Sequence, residues 1–530
     1  MARITPMNLK QFQIPLLLTA GCLLSLQAKA AYGGVCENIA ALKFPATAIK
    51  KAEIVSLGNF ETINQKPIAD LPIFCRVVAV LQPSADSDIG VEMWLPQSGW
   101  NGRLEGTGNG GLAGHINYGA LAAGLRLGYA VVNTDMGLSV PAGSDPSIFA
   151  DRPERLADWG YRSTHEMTLL AERLVRAYYG RPAQKAYFLG CSTGGQQAMS
   201  EAQRFPDDYD GLIAGAPPGN RTGVHLSILW SFMAMHKAPE AYIPPAKVAM
   251  IGEAVVAACD ELDGVKDGIV ADPRKCKFDP ASMQCRATDN ERCLTAPQVE
   301  TARLLYSGPK NPRTGEELYP GVALGSEFEW ARDFGAPPKP GEQPPFAPIF
   351  EWVFGTQWDW RSFDFDRQMT IYEKTLAPSV NAINPNLDEL RKLRHKLLMY
   401  HGWDDALVVP QASIDYWNAV KERYERTGPE ASSARIDDFF RLVMVPGMGH
   451  CSGGPGADNF DPLSVMVDWV ERGIAPDTII ATKAPNKSTP NGAAFQRPLC
   501  SYPKVRIYSG TGNINDAASY SCASPAKTKR

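Results

Sequence analysis

The sequence predicts an α/β fold, built on a mostly parallel sheet and interrupted by a large insertion. Short apolar segments alternate with amphipathic helical segments on both sides of the interruption, which is typical of parallel strands joined by helical crossovers. The interruption, residues 222–385, carries clustered prolines and frequent aromatic residues. The sequence therefore predicts a main domain made of residues 31–221 and 386–530, with a second domain inserted between its halves.

The strands and the helix of the main domain are predicted from apolar runs and helical spacing. Before the insertion, strands are predicted at 77–81, 91–95, 129–133 and 186–190, and a helix at 165–179. After the insertion, strands are predicted at 396–402 and 441–445. The return of the same pattern indicates that one domain is split in sequence by the insertion.

Length, composition and charge exclude several classes of protein. The chain has 530 residues, of which 44% are hydrophobic and 21% charged, and these values exclude disorder over the whole chain. The net charge of −4 provides no basic surface for nucleic acid. Outside the first 30 residues no segment reads as a membrane span, so we expect a soluble or lipid-tethered protein.

The first 30 residues are typical of a secretory signal peptide. Arg3 and Lys10 precede an almost wholly apolar stretch over 14–26, and small residues mark a cleavage site before Ala31. Cys22 follows a sequence similar to a lipoprotein cleavage box, so a lipid anchor at this cysteine is the alternative. Both readings predict a secreted or periplasmic protein.

Cysteine usage supports the same compartment. The chain has 11 cysteines, and one of them, Cys22, lies within the export segment. The other ten are Cys36, Cys75, Cys191, Cys259, Cys276, Cys285, Cys293, Cys451, Cys500 and Cys522. An even number of cysteines in an exported chain favours a framework of disulfide bonds.

A nucleophile motif lies where a strand is expected to meet a helix. Residues 190–194 read GCSTG and match G-x-S-x-G, with a predicted strand before them and helix-forming residues after them. In the α/β-hydrolase fold this motif makes a sharp turn that raises the serine hydroxyl above the sheet. A glycine-rich loop with an idle serine is the alternative. We therefore predict an α/β-hydrolase fold with a large inserted lid domain and Ser192 as nucleophile.

The base and the acid of a catalytic triad follow the nucleophile in this fold, with the acid first. His450 follows a predicted strand in a loop of small residues, which is the expected position of the base. His401 precedes the candidate acids and violates the order. Asp404 and Asp405 both follow the preceding strand; Asp405 is the preferred acid, with a solvated turn as the alternative for the pair.

The oxyanion hole of such an enzyme needs two backbone N–H donors. The residue after the nucleophile, Thr193, provides the first. The second is expected from the glycine-rich stretch around Gly110 and Gly111, for which a plain cluster of turn residues is the alternative.

These residues resemble the tannase and feruloyl esterase family of α/β-hydrolases, which includes the enzyme that cleaves mono(hydroxyethyl) terephthalate. The most specific mark is a serine and a histidine that each neighbour a cysteine, in Cys191-Ser192 and His450-Cys451. Further matching stretches lie at 100–103, 203–206, 209–211 and 450–456. The resemblance extends from residue 36 to residue 522, and implies Asp405 as the acid and Gly111 as the second oxyanion donor.

The resemblance, together with proximity along the chain, also implies how the cysteines pair. The implied pairs are Cys36–Cys75, Cys191–Cys451, Cys259–Cys276, Cys285–Cys293 and Cys500–Cys522. The second pair would tie the nucleophile turn to the histidine loop, while the others would be local.

An acidic segment in the insertion is a candidate metal site. Asp260, Asp263 and Asp267 are spaced around glycines, and oxygen ligands of this kind suit Ca²⁺. From the spacing alone, an acidic solvated turn is equally acceptable. The resemblance implies side-chain ligands from these three residues and carbonyl ligands from Val265 and Ile269. The ion would be structural, because the segment belongs to the lid.

The combined expectation is a secreted serine carboxylesterase of the feruloyl esterase type that hydrolyses small aromatic, phenolic acid esters through an acyl-enzyme. Galloyl esters and mono(hydroxyethyl) terephthalate are alternative substrates within the family. A calcium-stabilised binding protein on an inactive hydrolase scaffold is the alternative outside it. Five lid aromatics are candidates for an acyl pocket, although packing in the lid core is favoured for most of them. They are Trp330, Trp352, Phe354, Trp358 and Trp360.

Overall fold

The computed structural model describes most of the chain after the predicted signal peptide. It describes residues 34–56, 58–62, 66–138, 146–149, 152–334, 337–426, 435–485 and 493–524. The predicted signal peptide over 1–30, with Cys22, lies outside these ranges.

A nine-stranded mixed sheet forms the centre of the protein. The strands in chain order are β1 (Thr47–Val55), β2 (Gly58–Phe60), β3 (Ile68–Leu71), β4 (Phe74–Leu81), β5 (Ile89–Pro96), β6 (Arg103–Thr107), β7 (Ala130–Thr134), β8 (Lys185–Cys191), β9 (Gly211–Gly215), β10 (Lys396–Gly402), β11 (Phe440–Val445), β12 (Thr478–Lys483), β13 (Phe495–Cys500), β14 (Val505–Tyr508) and β15 (Tyr520–Ala523). The central sheet has the order β1-β4-β5-β7-β6-β8-β9-β10-β11. Its part from β7 to β11 is parallel, and β1, β4 and β5 extend it with antiparallel pairings.

Helices connect the parallel strands and cover both faces of the sheet. The helices are α1 (Tyr118–Arg126), α2 (Pro153–Ala157), α3 (Ser163–Tyr179), α4 (Thr193–Arg204), α5 (Arg221–His236), α6 (Pro245–Cys259), α7 (Ala296–Ser307), α8 (Glu327–Asp333), α9 (Ala347–Phe354), α10 (Arg367–Val380), α11 (Asp388–Lys392), α12 (Gln411–Arg426) and α13 (Pro462–Arg472). Helices α3, α4 and α12 pack on one face, and α1 and α13 on the other.

The sequence of β10 accounts for its burial on both faces. Leu397 and Met399 enter the apolar cluster shared with α3, α4 and α12, whereas Leu398 and Tyr400 enter the cluster shared with α1 and α13. Successive side chains of a strand point to opposite faces, so a parallel strand between two helical layers needs a continuous apolar run. This is why β10 could be predicted from its sequence.

All six predicted strands and the predicted helix are present, as β4, β5, β7, β8, β10, β11 and α3. The other three strands of the central sheet, β1, β6 and β9, were not predicted from the sequence. Strand β6 contains Glu105 and Gly106, and β9 begins and ends with glycine, so neither has the apolar run that marked the others. The mixed sheet with helices on both faces confirms the predicted α/β class.

The insertion between β9 and β10 contains helices α5 to α10, which pack around two apolar clusters, whereas Leu390 of α11 joins the core of the main domain. One cluster includes Ala406 and Val408, from the loop after β10, and the other includes Met136 and Trp159 from the main domain. The lid is therefore anchored to the loops that follow the parallel strands, at the edge of the sheet where α/β proteins bind ligands.

One helical stretch among the described residues, Pro239–Asp263, is long and apolar enough by composition to cross a bilayer, with a mean hydropathy of 1.3. Length and composition alone are weak evidence for a membrane span. In the structure α6 forms the middle of this stretch, and its Val248, Ile251 and Val255 pack in the lid cluster.

The disulfide framework is confirmed. The bonded pairs are Cys36–Cys75, Cys191–Cys451, Cys259–Cys276, Cys285–Cys293 and Cys500–Cys522. The second pair joins residues 260 apart in sequence, and the others join residues 8 to 39 apart. Only the Cys191–Cys451 bond, among these pairs, connects the two halves of the main domain across the lid insertion.

Candidate active site

Ser192 lies at a sharp turn between β8 and α4. Its φ of +60° and ψ of −125° are sparsely populated for a residue with a side chain. The flanking glycines make this turn possible, because a Cβ on Gly190 would lie 2.4 Å from the Gly194 backbone, and one on Gly194 would lie 2.9 Å from Gly108. The G-x-S-x-G motif therefore joins a strand to a helix as predicted, and raises the serine above the end of the sheet.

His450 lies in the loop after β11 and is paired with one of the two candidate acids. Its Nδ1 lies 2.7 Å from Asp405 Oδ2. The other Asp405 oxygen accepts hydrogen bonds from the backbone N–H groups of Leu407 (3.0 Å) and Val408 (2.8 Å). The carboxylate is thus held from both sides, and its contact with Nδ1 leaves the histidine Nε2 for a nucleophile.

The two residues that competed with these assignments are both buried, and His401 also contacts the acid, with its Nε2 3.2 Å from Asp405 Oδ2. His401 is fully buried, with Nδ1 2.7 Å from Ser413 Oγ and Nε2 2.8 Å from the carbonyl oxygen of Val408. Asp404 is also buried, and its Oδ1 has no hydrogen-bond partner among the described residues. Burial, followed by the charges of Glu327 and Glu329, raises its pKa well above the usual range. The structure therefore brings Asp405, and not Asp404, to His450.

The paired histidine and carboxylate shift each other's pKa in opposite directions. Burial raises the pKa of Asp405, but the charges and hydrogen bonds of His450 and His401 outweigh burial, so its net pKa lies below the usual range. Burial lowers the pKa of His450, but the nearby Asp405 outweighs it, and Glu329 and Asp333 add to the rise. The pair is suited to stabilise an imidazolium that forms when the histidine accepts a proton.

Thr193 and Gly111 lie beside the serine, on two different loops. Thr193 is the first residue of α4, where a backbone N–H has no partner within the helix. Its hydroxyl donates a 2.5 Å hydrogen bond to the carbonyl oxygen of Gly111, which has a φ of +57°. The two predicted oxyanion residues are therefore in direct contact, and both line the cavity that contains Ser192 and His450.

This cavity has a volume of about 590 Å³, within the usual range for small-molecule sites. Apolar side chains form part of its wall: Val224, Ile228 and Phe346 from the lid, and Leu407 and Val408 from the loop after β10. Arg221 and His225 of α5 also line it, together with polar residues of the main domain that include Asn109 and Asn117. This arrangement suits a small ester whose acyl part is apolar or aromatic.

The comparison with known proteins agrees with this geometry. The family described as tannase and feruloyl esterase matches residues 75–343 and 349–523. The chain belongs to the tannase and feruloyl esterase family. An uncharacterized esterase from Xanthomonas campestris is 36% identical, with 96% of this chain and 94% of that protein covered. A probable feruloyl esterase B-2 from Aspergillus terreus is 33% identical, with 84% and 86% covered.

Solved structures of the family have the same fold. The crystal structure of feruloyl esterase B from Aspergillus oryzae matches with a TM-score of 0.81 and 30% identity, covering 92% of this chain and 99% of that chain. The tannin acyl hydrolase from Aspergillus niger matches with a TM-score of 0.74 at 23% identity, covering 91% and 92%. This esterase therefore has the predicted α/β-hydrolase fold with an inserted lid, and the alternative of a non-catalytic binding protein is set aside.

Glu329, through which the lid contacts both candidate catalytic loops of this esterase, was not predicted from the sequence. Its Oε1 accepts a hydrogen bond from the backbone N–H of His450 (3.0 Å), and its Oε2 accepts one from Ala406 (3.0 Å). A Cβ on Gly449 would lie 2.4 Å from Oε1, so the small residue before the histidine makes room for this carboxylate. A single glutamate on a short helix carries no motif that could have indicated this role.

The lid aromatics considered as pocket residues pack elsewhere. Trp330, Trp358 and Trp360 lie inside the apolar clusters of the lid, and Trp352 and Phe354 pack against one of them. The lid aromatic ring that lines the cavity is Phe346, which sequence analysis did not select.

The acidic segment of the lid forms a tight loop around one carboxylate. Asp260 Oδ1 accepts hydrogen bonds from the backbone N–H groups of residues 267–269, at 3.1, 2.9 and 3.2 Å. Asp267 is buried, and its Oδ1 has no hydrogen-bond partner in the described part of the chain. A buried carboxylate oxygen without a partner is costly, and a bound cation would satisfy it.

Two buried arginines from the C-terminal strands also contact this loop. Arg497 donates to Asp267 Oδ2 at 2.8 Å, and Arg506 donates to Asp263 Oδ2 at 3.2 Å. The two arginines thus pair with Asp263 and Asp267, whereas the third carboxylate, Asp260, is held by backbone N–H groups. The structure does not bring ligand oxygens of all three aspartates within 4.8 Å of one another, so what favours a hard cation such as Ca²⁺ is the unpartnered Asp267 oxygen, with the carbonyl groups of the same loop as further oxygen donors.

Proposed function

We propose that this protein is a secreted serine esterase that hydrolyses feruloyl-type esters of phenolic acids. The observation that carries the proposal is the juxtaposition of Ser192 on its strained turn with the paired His450 and Asp405, in a cavity with an apolar wall. The Aspergillus relatives named as feruloyl esterases support the choice of acyl group.

In the proposed mechanism, Ser192 Oγ attacks the ester carbonyl carbon while His450 Nε2 accepts the serine proton. Asp405 holds His450 Nδ1 and stabilises the imidazolium. The backbone N–H groups of Thr193 and Gly111 bind the negatively charged carbonyl oxygen of the tetrahedral intermediate. The histidine then donates its proton to the leaving alcohol, and water, activated by the same histidine, releases the phenolic acid from the acyl-enzyme.

The location outside the cytoplasm is part of the proposal. Five disulfides suit an oxidising compartment, and the predicted signal peptide would direct the chain there. Both a periplasmic and an extracellular location meet this condition, as does tethering through a lipid on Cys22.

A panel of esters tests the proposed substrate class. We expect a higher kcat/KM for methyl ferulate than for methyl gallate or mono(hydroxyethyl) terephthalate, because relatives that match most of this chain are named feruloyl esterases and because Val224, Ile228 and Phe346 give the cavity an apolar wall. Released acid is measured by chromatography with purified protein. A preference for either of the other substrates would refute the feruloyl assignment, and rates at background for all three would refute the proposed function itself.

We propose in addition that Asp260, Asp263 and Asp267 hold a structural Ca²⁺, with carbonyl ligands from Val265 and Ile269. The metal-free protein is expected to gain stability when Ca²⁺ is added, by about 2.7 kcal/mol at a free concentration of roughly 100 times the dissociation constant. The measurement is the melting temperature after EDTA treatment, with and without added Ca²⁺.

A pair of variants makes this test specific to the loop. Asp267→Asn is expected to abolish the response to Ca²⁺, whereas Glu261→Gln is expected to keep it. Glu261 lies in the same segment, but its side chain is 68% exposed and pairs with Lys266 at the surface. A wild-type melting temperature that does not respond to Ca²⁺ would exclude the site.

A further inference from the structure

Arg221 is the first residue of α5, and it contacts both residues of the candidate oxyanion hole from within the protein. Its Nη2 donates a 3.0 Å hydrogen bond to the carbonyl oxygen of Gly111. Its Nη1 lies 3.2 Å from Thr193 Oγ1 and 3.3 Å from Gln196 Oε1. The Gly111 carbonyl oxygen thus accepts from the threonine hydroxyl and from the arginine together, which holds the glycine-rich loop against the start of α4.

The charge of Arg221 is buried without a counterion. Only 3% of the residue is exposed, and in the part of the chain that the structure describes no carboxylate lies within 4.0 Å of its guanidinium. Its Nε is buried with no hydrogen-bond partner, and its Cζ lies 4.6 Å from the ring centroid of Trp159. Burial lowers the pKa of Arg221 to about 10, so the side chain stays protonated at neutral pH.

A buried charge without a partner normally costs several kcal/mol of stability, and proteins usually pair it or expose it. The groups around Arg221 are a carbonyl, a hydroxyl, an amide and an aromatic ring, all of them neutral. The neighbouring His225 adds no second charge, because burial and then the Arg221 charge lower its pKa well below the usual range. Of these two α5 residues that line the cavity, only Arg221 therefore carries a positive charge.

We propose that Arg221 is a positioning residue of the oxyanion hole, which orients the Gly111 loop and Thr193 and places a positive charge behind their N–H donors. This proposal rests on the proposed esterase function. The substrate carbonyl oxygen is neutral before the reaction. It gains a full negative charge when the Ser192 oxygen bonds to the carbonyl carbon, the carbonyl π electrons move onto oxygen, and the serine proton passes to His450.

A fixed positive charge in a site of low dielectric stabilises this oxyanion more than the neutral ester. Such an interaction lowers the barrier without strengthening substrate binding, so it raises kcat with little effect on KM. The oxyanion supplies, in the transition state, the counter-charge that Arg221 lacks among the described residues.

The test compares Arg221→Gln and Arg221→Lys with the wild type. We expect Arg221→Gln to lower kcat for methyl ferulate by about 10²-fold with KM changed less than about threefold, in line with the loss of an oxyanion donor. Arg221→Lys keeps the charge without the forked geometry and is expected to retain an intermediate kcat. Phenylboronic acid, whose boron forms a tetrahedral anionic adduct with a serine, should lose affinity for the Arg221→Gln variant in parallel with kcat.

Two controls separate this role from a loss of folding. Arg204→Gln removes another arginine that lies over an aromatic ring, Tyr161, and donates to the lid at Pro378, and it is expected to keep the wild-type kcat. Binding of ferulamide, a neutral analogue of the substrate, should be little changed in both Arg221 variants if only the negatively charged transition state is affected. If Arg221→Gln does not fold, the Arg221→Lys variant carries the comparison of kcat, KM and boronic acid affinity.

An unchanged kcat in a folded Arg221 variant would overturn the proposal while leaving the esterase function intact. An equal loss of affinity for neutral ferulamide and for phenylboronic acid would overturn it as well, because it would indicate a distorted cavity. A wild-type protein that hydrolyses no ester of the panel would instead refute the proposed function on which this inference rests.

Discussion

Replacing Ser192 with alanine is expected to lower kcat for methyl ferulate by about 10⁶-fold, as in serine hydrolases that lose their nucleophile. No acyl-enzyme can form without the Ser192 oxygen, so only the binding and oxyanion contributions to catalysis remain. Initial rates with a discontinuous assay and high enzyme concentration measure the residual activity. The melting temperature should stay close to that of the wild type, because the change removes one oxygen.

Ser200→Ala is the matched control for this variant. Ser200 lies on α4, two turns beyond the nucleophile; it is buried, and its Oγ has no hydrogen-bond partner among the described residues. It does not line the cavity, so its loss is expected to leave kcat within about twofold of the wild type. Retention of more than one per cent of the activity by Ser192→Ala would assign the nucleophile to another residue.

The strained turn explains why the candidate nucleophile stands out in the sequence. The close approach of Gly190, Gly194 and Gly108 leaves no room for side chains, and these glycines are visible as letters in the sequence. The requirement is local for two of the three glycines, which lie within the motif itself. The need for glycine at these positions therefore produces a short sequence pattern. The same pattern marks the end of β8 and the beginning of α4.

The choice of acid was less accessible, because Asp404 and Asp405 are adjacent on one turn. If the turn were shifted by one residue, Asp404 would take the position that Asp405 occupies beside His450. The N–H groups of Leu407 and Val408 fix Asp405 towards His450, and this arrangement depends on how the turn after β10 is packed. The order of residues restricted the acid to two candidates, and tertiary contacts separate them.

Glu329 and Arg221 could not be predicted, because their partners are distant in the chain. Glu329 contacts His450 across 121 positions, and Arg221 contacts Gly111 across 110 positions. Neither has a neighbouring motif, and a lone charged residue at a helix terminus is ordinary in a sequence. Both residues are buried against the candidate catalytic loops. Their burial is determined by the tertiary structure and is not visible in the sequence.

These contacts indicate that the lid of this esterase supports its catalytic centre as well as covering it. Glu329 holds the backbone on both sides of the His450–Asp405 pair, and Arg221, at the start of the insertion, holds the oxyanion loop. The lid segment nearest the triad is therefore part of the framework that fixes the reacting groups. Catalytic geometry that depends on distant segments needs a strong connection between them, which the Cys191–Cys451 disulfide supplies.

Removing that disulfide, in the double variant Cys191→Ser with Cys451→Ser, is expected to lower the free energy of unfolding by roughly 5 kcal/mol. The bond closes a loop of 260 residues, and the entropy of the unfolded chain rises when this loop is opened. The two cysteines also flank Ser192 and His450, so the base is less firmly held near the nucleophile. Because small displacements of reacting groups are costly, kcat is expected to fall by about 10²-fold.

The double variant Cys285→Ser with Cys293→Ser is the matched control, since it removes a bond between half-buried residues only 8 apart in the lid. Its expected cost is roughly 2.5 kcal/mol, with kcat unchanged. Denaturant titration and steady-state kinetics under non-reducing conditions compare the two variants with the wild type. If both double variants lost the same stability and kept full activity, the Cys191–Cys451 bond would have no specific role at the catalytic centre. A larger loss of stability together with a lower kcat, seen only in the Cys191/Cys451 variant, would show that this bond supports the catalytic centre. Of the two bonds, it alone links the segments that carry Ser192 and His450.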